Sequence, residues 1–257
     1  MRKKVVALYM SLMMALVLII PTRAEEPGKN QKSDGNVIQV CEIEGLRTKS
    51  SETFLLSDGT YDCVVYSENK YFEDGGGNLV PIDNTVVETR YSFNEKDYRY
   101  KNSANETDFY FTDKEPTVLA SYDGRQLVWS LIGAKTTKAI PGGSEKTKQV
   151  WEYALSGKNY IAYPDVADNT ELVYAVHNGS VKEYIVLENA AAPTEFVFRF
   201  ENAGYHVGEI ESGRLAFFDE NQEQVFDTGS LYAIDATGKY TDQLHYNVRT
   251  MFCLQVA

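Results

Sequence analysis

The feature that most constrains this chain is an apolar alternation of period two, cut again and again by turn residues. Phe54 and Leu56 share a face before Asp58-Gly59, and Tyr61, Cys63 and Val65 share one after it. Asp123-Gly124 precedes Leu127, Trp129 and Leu131, and Asn178-Gly179 joins Leu172, Tyr174 and Val176 to Val181, Ile185 and Leu187. Asp-Gly and Asn-Gly between such runs predict hairpins, because tight hairpin turns need positive φ. Phe196, Phe198 and Phe200 alternate with Val197 and Arg199, and Leu215 with Phe217 opens another run ahead of Asn221-Gln222. Helical periodicity is nearly absent beyond the first two dozen residues. Eighteen Tyr and twelve Phe suit half-buried pleated surfaces. The pattern therefore predicts an all-β fold of a dozen or more short strands, arranged as an antiparallel β-sandwich. The polar stretch 135–149, with its Pro-Gly-Gly kernel, reads either as a linker or as a long loop. In the first case residues 51–134 and 150–257 are two packed β lobes; in the second they form one continuous domain.

The amino terminus speaks to compartment. Arg2, Lys3 and Lys4 precede an apolar run from Val5 to Ile20, then Pro21 and Thr22-Arg23-Ala24. That layout predicts a secretory signal over residues 1–24, helical through its apolar run and cleaved after Ala24; an uncleaved membrane anchor is the rival reading. Residues 25–50 then form a flexible leader and a first strand, and the protein is expected to be secreted or cell-wall associated. Its net charge of −12 argues against nucleic acid and, once the signal is cleaved, against anionic membranes as partners. Three cysteines, Cys41, Cys63 and Cys253, leave open one disulfide with a free thiol or none. Cys63 sits in an alternating run and is expected to be a small buried apolar residue. With no C-x-x-C, a zinc site is not expected.

Two longer stretches resemble a known family. Ser57-Asp58-Gly59-Thr60 through Tyr71-Phe72-Glu73-Asp74, then Gly77 to Thr85 (GNLVPIDNT), is similar to the N-terminal part of large secreted Rhs/YD-repeat wall-associated proteins of Gram-positive bacteria. Tyr163-Pro164-Asp165-Val166, Leu172-Val173-Tyr174 and Val181 to Leu187 (VKEYIVL) resemble a second stretch of that region, and Phe196 to Phe200 with Gly213 to Gly238 a third. The resemblance runs from about Phe54 to about Tyr246 and implies a β-rich, surface-exposed region without catalytic residues. In the family this region precedes shell-building repeats and often a toxin, and neither is present in this sequence. A truncated product and a naturally short paralogue both fit, and an unpaired sheet edge in such a chain invites self-association.

The remaining chemistry-bearing residues do not assemble into a known motif. His177, His206 and His245 lack metal-ligand spacing. No G-x-S-x-G is present, and the Gly75-Gly76-Gly77 triplet reads as a turn. Glu171, Glu183 and Glu195 are the candidate carboxylates for a secreted glycoside hydrolase, the least favoured alternative. Acidic turns at Asp219-Glu220-Asn221 and Asp235 to Gly238 offer oxygen ligands for calcium, but hairpin loops are acidic for ordinary reasons too. Trp129 is expected in the core beside Leu127 and Leu131. Trp151, Tyr153 and Tyr160 are the rings expected to be open to cell-wall or host polysaccharide, the main alternative function. The expectation is a non-catalytic structural or interaction module, with no catalytic residues, cofactor or metal.

Overall fold

The computed structural model describes residues 37–143, 157–202 and 204–248. Its strands are β1 (Gln39–Glu42), β2 (Ser51–Leu56), β3 (Tyr61–Val65), β4 (Tyr71–Glu73), β5 (Leu79–Pro81), β6 (Asp83–Phe93), β7 (Lys96–Ala104), β8 (Asp108–Thr112), β9 (Thr117–Tyr122) and β10 (Arg125–Leu131). They continue with β11 (Ile140–Pro141), β12 (Tyr160–Ala167), β13 (Thr170–His177), β14 (Ser180–Leu187), β15 (Phe198–Asn202), β16 (His206–Glu209), β17 (Leu215–Phe218), β18 (Gln224–Asp227), β19 (Ala233–Ile234) and β20 (Tyr240–Thr241). Every pairing among them is antiparallel.

Two sheets make the sandwich. One has six strands in the order β15-β10-β9-β8-β7-β6; the other has four, β11-β12-β13-β14. Alternation supplies the faces that meet. Phe109, Phe111, Val118 and Ala120 from the six-stranded sheet join Ile161, Tyr163, Leu172, Tyr174 and Val176 from the four-stranded one in a single buried cluster. Full burial of a side chain such as Leu172 stabilises by roughly 1.5–3 kcal/mol. Tyr163 settles its polar tip by donating from Oη to the Thr112 carbonyl at 2.7 Å across the interface. Trp129 packs against this cluster, beside buried Leu131, as its position between Leu127 and Leu131 predicts. Both sides of the polar stretch 135–149 thus feed one core, and β15, from the later half, completes the sheet of the earlier half by pairing with β10.

The four-stranded sheet has a second buried face. Tyr160, Ala162, Val173 and Ala175 form it, with Tyr184 and Val186 partly buried beside them. For that reason β13 is buried almost end to end, a continuous apolar strand rather than a half-solvated one.

A shared turn closes several hairpins. Asp74, Asp219 and Asp235 each accept, through Oδ1, the backbone N–H groups two and four residues on. The residue three positions on has positive φ: Gly77 at 77°, Gln222 at 63° and Gly238 at 84°. The Asp-x-x-Gly spacing is thus a turn signature, and the Asp side chain stands in for a missing backbone acceptor. Asp123-Gly124 has both residues at positive φ, as expected of a tight hairpin, whereas at Asp58-Gly59 and Asn178-Gly179 only the glycine does.

The small sheet β1-β2-β3 departs from expectation. Tyr61, Cys63 and Val65 share a face, but that face is exposed, and Cys63 carries a free exposed thiol, as does Cys41. The alternation was real; the covering layer was not there. The sheet is secured instead by polar contacts. Buried Glu52 accepts from Lys70 Nζ at 2.8 Å and from the Tyr66 and Tyr71 hydroxyls. Arg47 makes a two-pronged pair with Glu42 at 2.7 and 2.8 Å and lies 4.8 Å above the Tyr71 ring. The signal segment and Cys253 lie outside the described residues. Among the described residues no helix is long and apolar enough to cross a membrane.

Candidate functional site

β14 and β15 each end a sheet, and between them the sandwich opens. The resulting cleft has a volume of about 3990 Å³. That is several times the ~300–1,000 Å³ of a small-molecule pocket, so the space is a trench suited to an extended partner. The whole of β14 lines it, and Phe196, Phe198 and Phe200 line it from the β15 side. Phe217, Phe226 and Tyr246 add to the aromatic lining from the carboxy-terminal third. Phe200 and Phe217 pack with ring centroids 5.1 Å apart, and Tyr205 meets Phe226 edge-on at 5.9 Å.

The strand register decides which side chains of β14 turn into the sandwich and which turn away from it. Tyr174 lies opposite Glu183 and Val173 opposite Tyr184, so Glu183 and Ile185 share the inner face while Lys182, Tyr184 and Val186 share the other. Glu183 is therefore carried under the sandwich toward Tyr174 and Trp129. Burial raises its carboxyl to about 7, while its contacts with Tyr174 and Trp129 pull the other way. The Tyr174 hydroxyl, itself fully buried, faces this carboxyl without a hydrogen bond of good geometry.

On the opposite face, Lys182 Nζ donates to the Tyr232 hydroxyl. The ammonium also lies 5.0 Å from the centre of the Tyr184 ring and 4.8 Å from that of Tyr232. Tyr232 in turn stacks on Tyr240 at 5.6 Å with planes 25° apart. These four residues bring β14 together with the β19-β20 hairpin, across some fifty positions of sequence. Sequence reading missed them. The available signal was three tyrosines and a lysine at strand or turn positions, which does not reveal their meeting.

The residues singled out in advance fare unevenly. Tyr160 is only 5% exposed and packs with Ala162, Val173 and Ala175, so no ring face is left for a sugar. The correction has a simple cause: alternation along β12 turns Tyr160 into the second buried face of its sheet. Trp151 and Tyr153 lie outside the described residues. Glu171 and Glu183 stand on opposite faces of the same sheet, since Glu171 lies opposite Val186, and Glu195 is exposed before β15. Glu171 and Glu183 therefore do not face each other as a glycosidase pair must. His177 ends β13, His206 begins β16 and His245 lies beyond β20. Asp219 and Asp235 spend one oxygen each on closing their own turns.

Fold and cleft together define an antiparallel β-sandwich, open along one side between two edge strands and lined there with aromatic rings. No protein-family model, curated protein or solved structure matches the chain.

Proposed function

We propose that this chain is a secreted, non-catalytic β-sandwich module that is joined edge to edge into a larger assembly at the cell surface, β14 being the joining strand. One observation carries the reading: β14 pairs with β13 on one side only, and among the described residues its outer edge meets no further strand and lies along an aromatic-lined trench for eight residues. An edge strand of that length is a template for strand addition unless it is blunted. The resemblance to the N-terminal region of wall-associated YD-repeat proteins and the secretory layout of residues 1–24 support the compartment.

The partner proposed is a second copy of the chain, paired antiparallel about a two-fold axis at Tyr184. That register sets Lys182 opposite Val186 and Glu183 opposite Ile185, so no like charges meet. Centring on Glu183 would set two carboxylates face to face. The net charge of −12 opposes association at long range, so added salt strengthens the dimer.

Sedimentation equilibrium of the exported protein over a concentration series, at low and high salt, is the test. A dimer that tightens with salt is expected. Leu187→Lys, at an exposed position on β14, is expected to weaken it about tenfold without altering the fold. A protein that stays monomeric at its highest soluble concentration in high salt overturns the reading.

A further inference from the structure

We propose that Tyr184, Tyr232, Tyr240 and Lys182 form a binding subsite for a neutral sugar ring at the rim of the cleft. The inference rests on a different observation from edge pairing: two aromatic rings, stacked with planes 25° apart, stand at the surface where burial would ordinarily take them. Tyr240 is 57% exposed and Tyr232 36%. A tyrosine ring offers an apolar face with a polar tip, which matches the C–H face of a pyranose and its hydroxyl rim. Stacking one ring on the other fixes both before a ligand arrives, so less rotamer freedom is lost on binding.

Lys182 supplies the directional part. Its ammonium has three donors, of which the Tyr232 hydroxyl takes one and Tyr184 engages a second. The groups that act on it are the Tyr232 and Tyr184 side chains, and no carboxylate among the described residues pairs with it. An ammonium held between rings, with a donor left over, suits a sugar hydroxyl or ring oxygen. The overall charge selects the class of sugar: at −12, the molecule repels polyanionic glycans, and one lysine does not offset that field. The ligand is thus a neutral hexose or pentose polymer. All four residues line the trench, so further sugar units can lie along it.

Affinity electrophoresis of the exported protein in gels containing xyloglucan, galactomannan, dextran or polygalacturonate tests the assignment. Retardation by at least one neutral polymer is expected, insensitive to salt. Tyr240→Ala is expected to lose about tenfold in affinity, because it removes the apolar ring face against which the C–H groups of the sugar pack. Tyr240→Phe keeps the ring and the binding, and Lys182→Met keeps the packing but weakens binding several-fold. Unchanged thermal midpoints exclude misfolding for these surface variants. Absence of retardation by every neutral polymer overturns the proposal, as do undiminished binding by Tyr240→Ala and binding of polygalacturonate alone that salt abolishes. Leu187→Lys, which tests edge pairing, is expected to leave sugar binding intact, so the two proposals fail separately.

Discussion

Two glutamates on strands behave in opposite ways because their surroundings differ. Glu52 is ringed by donors, Lys70 first and then the Tyr66 and Tyr71 hydroxyls, and its carboxyl falls from 4.5 to about 2. Its contribution to stability is present above the unfolded value near 4.5 and is lost as pH falls toward 2. Glu183 is taken into the sandwich, and burial lifts its carboxyl from 4.5 to about 7. Here the sign reverses: stability is full below the unfolded value of 4.5 and declines as pH rises through 7. Urea midpoints measured across pH are expected to show both limbs. Glu183→Gln should flatten the fall between 4.5 and 7, and Glu52→Gln should remove part of the acid limb while lowering stability at neutral pH. A Glu183→Gln profile identical to the parent's would show that this carboxyl is solvated. Neither environment was legible from the Ser-Glu-Thr or Lys-Glu-Tyr neighbourhoods, since both arise from residues distant in sequence.

At the scale of elements, the repeated Asp turn is the clearest local device. The Asp side chain closes it and a left-handed residue three positions on lets the chain return. Glycine fills that position at Gly77 and Gly238, whereas Gln222 does so at 63° with a Cβ. A side chain in the left-handed region costs roughly 1–2 kcal/mol, partly offset by the entropy glycine loses on folding. Gln222→Gly is therefore expected to stabilise by about 0.5–1 kcal/mol and Gly238→Ala to destabilise by about 1 kcal/mol. Opposite shifts in the urea midpoint check the pair. The sequence already held this turn in its Asp-x-x-Gly spacing. It held much less about strand faces: Tyr61, Cys63 and Val65 alternate as well as Leu172, Tyr174 and Val176 do, yet only the second set is covered.

For the molecule as a whole, the shared core is the governing fact. Residues from Val86 to Ala139 and from Ile161 to Val176 bury one another, and β15 pairs with β10 across that divide. Unfolding of the sandwich is therefore expected to be one cooperative transition. Leu172→Ala, in the four-stranded sheet, should cost about 2–5 kcal/mol. By hydrogen exchange, amides of β8 and β9 in the other sheet should lose protection together with those of β12 and β13. Independent loss of the two sets would indicate two lobes with separate cores.

The chain's own residues determined the class of structure. Period-two alternation, Asp-Gly and Asn-Gly turns and the scarcity of helical periodicity all act over a few neighbouring positions, and local backbone preference is enough to impose them. Which alternating faces found cover, how Glu183 came to lie beside Trp129 and Tyr174, and how Lys182 met Tyr232 were decided only by tertiary structure. Those outcomes depend on strands packing across tens of residues, and the burial that drives such packing is non-directional, so no local pattern names the partner.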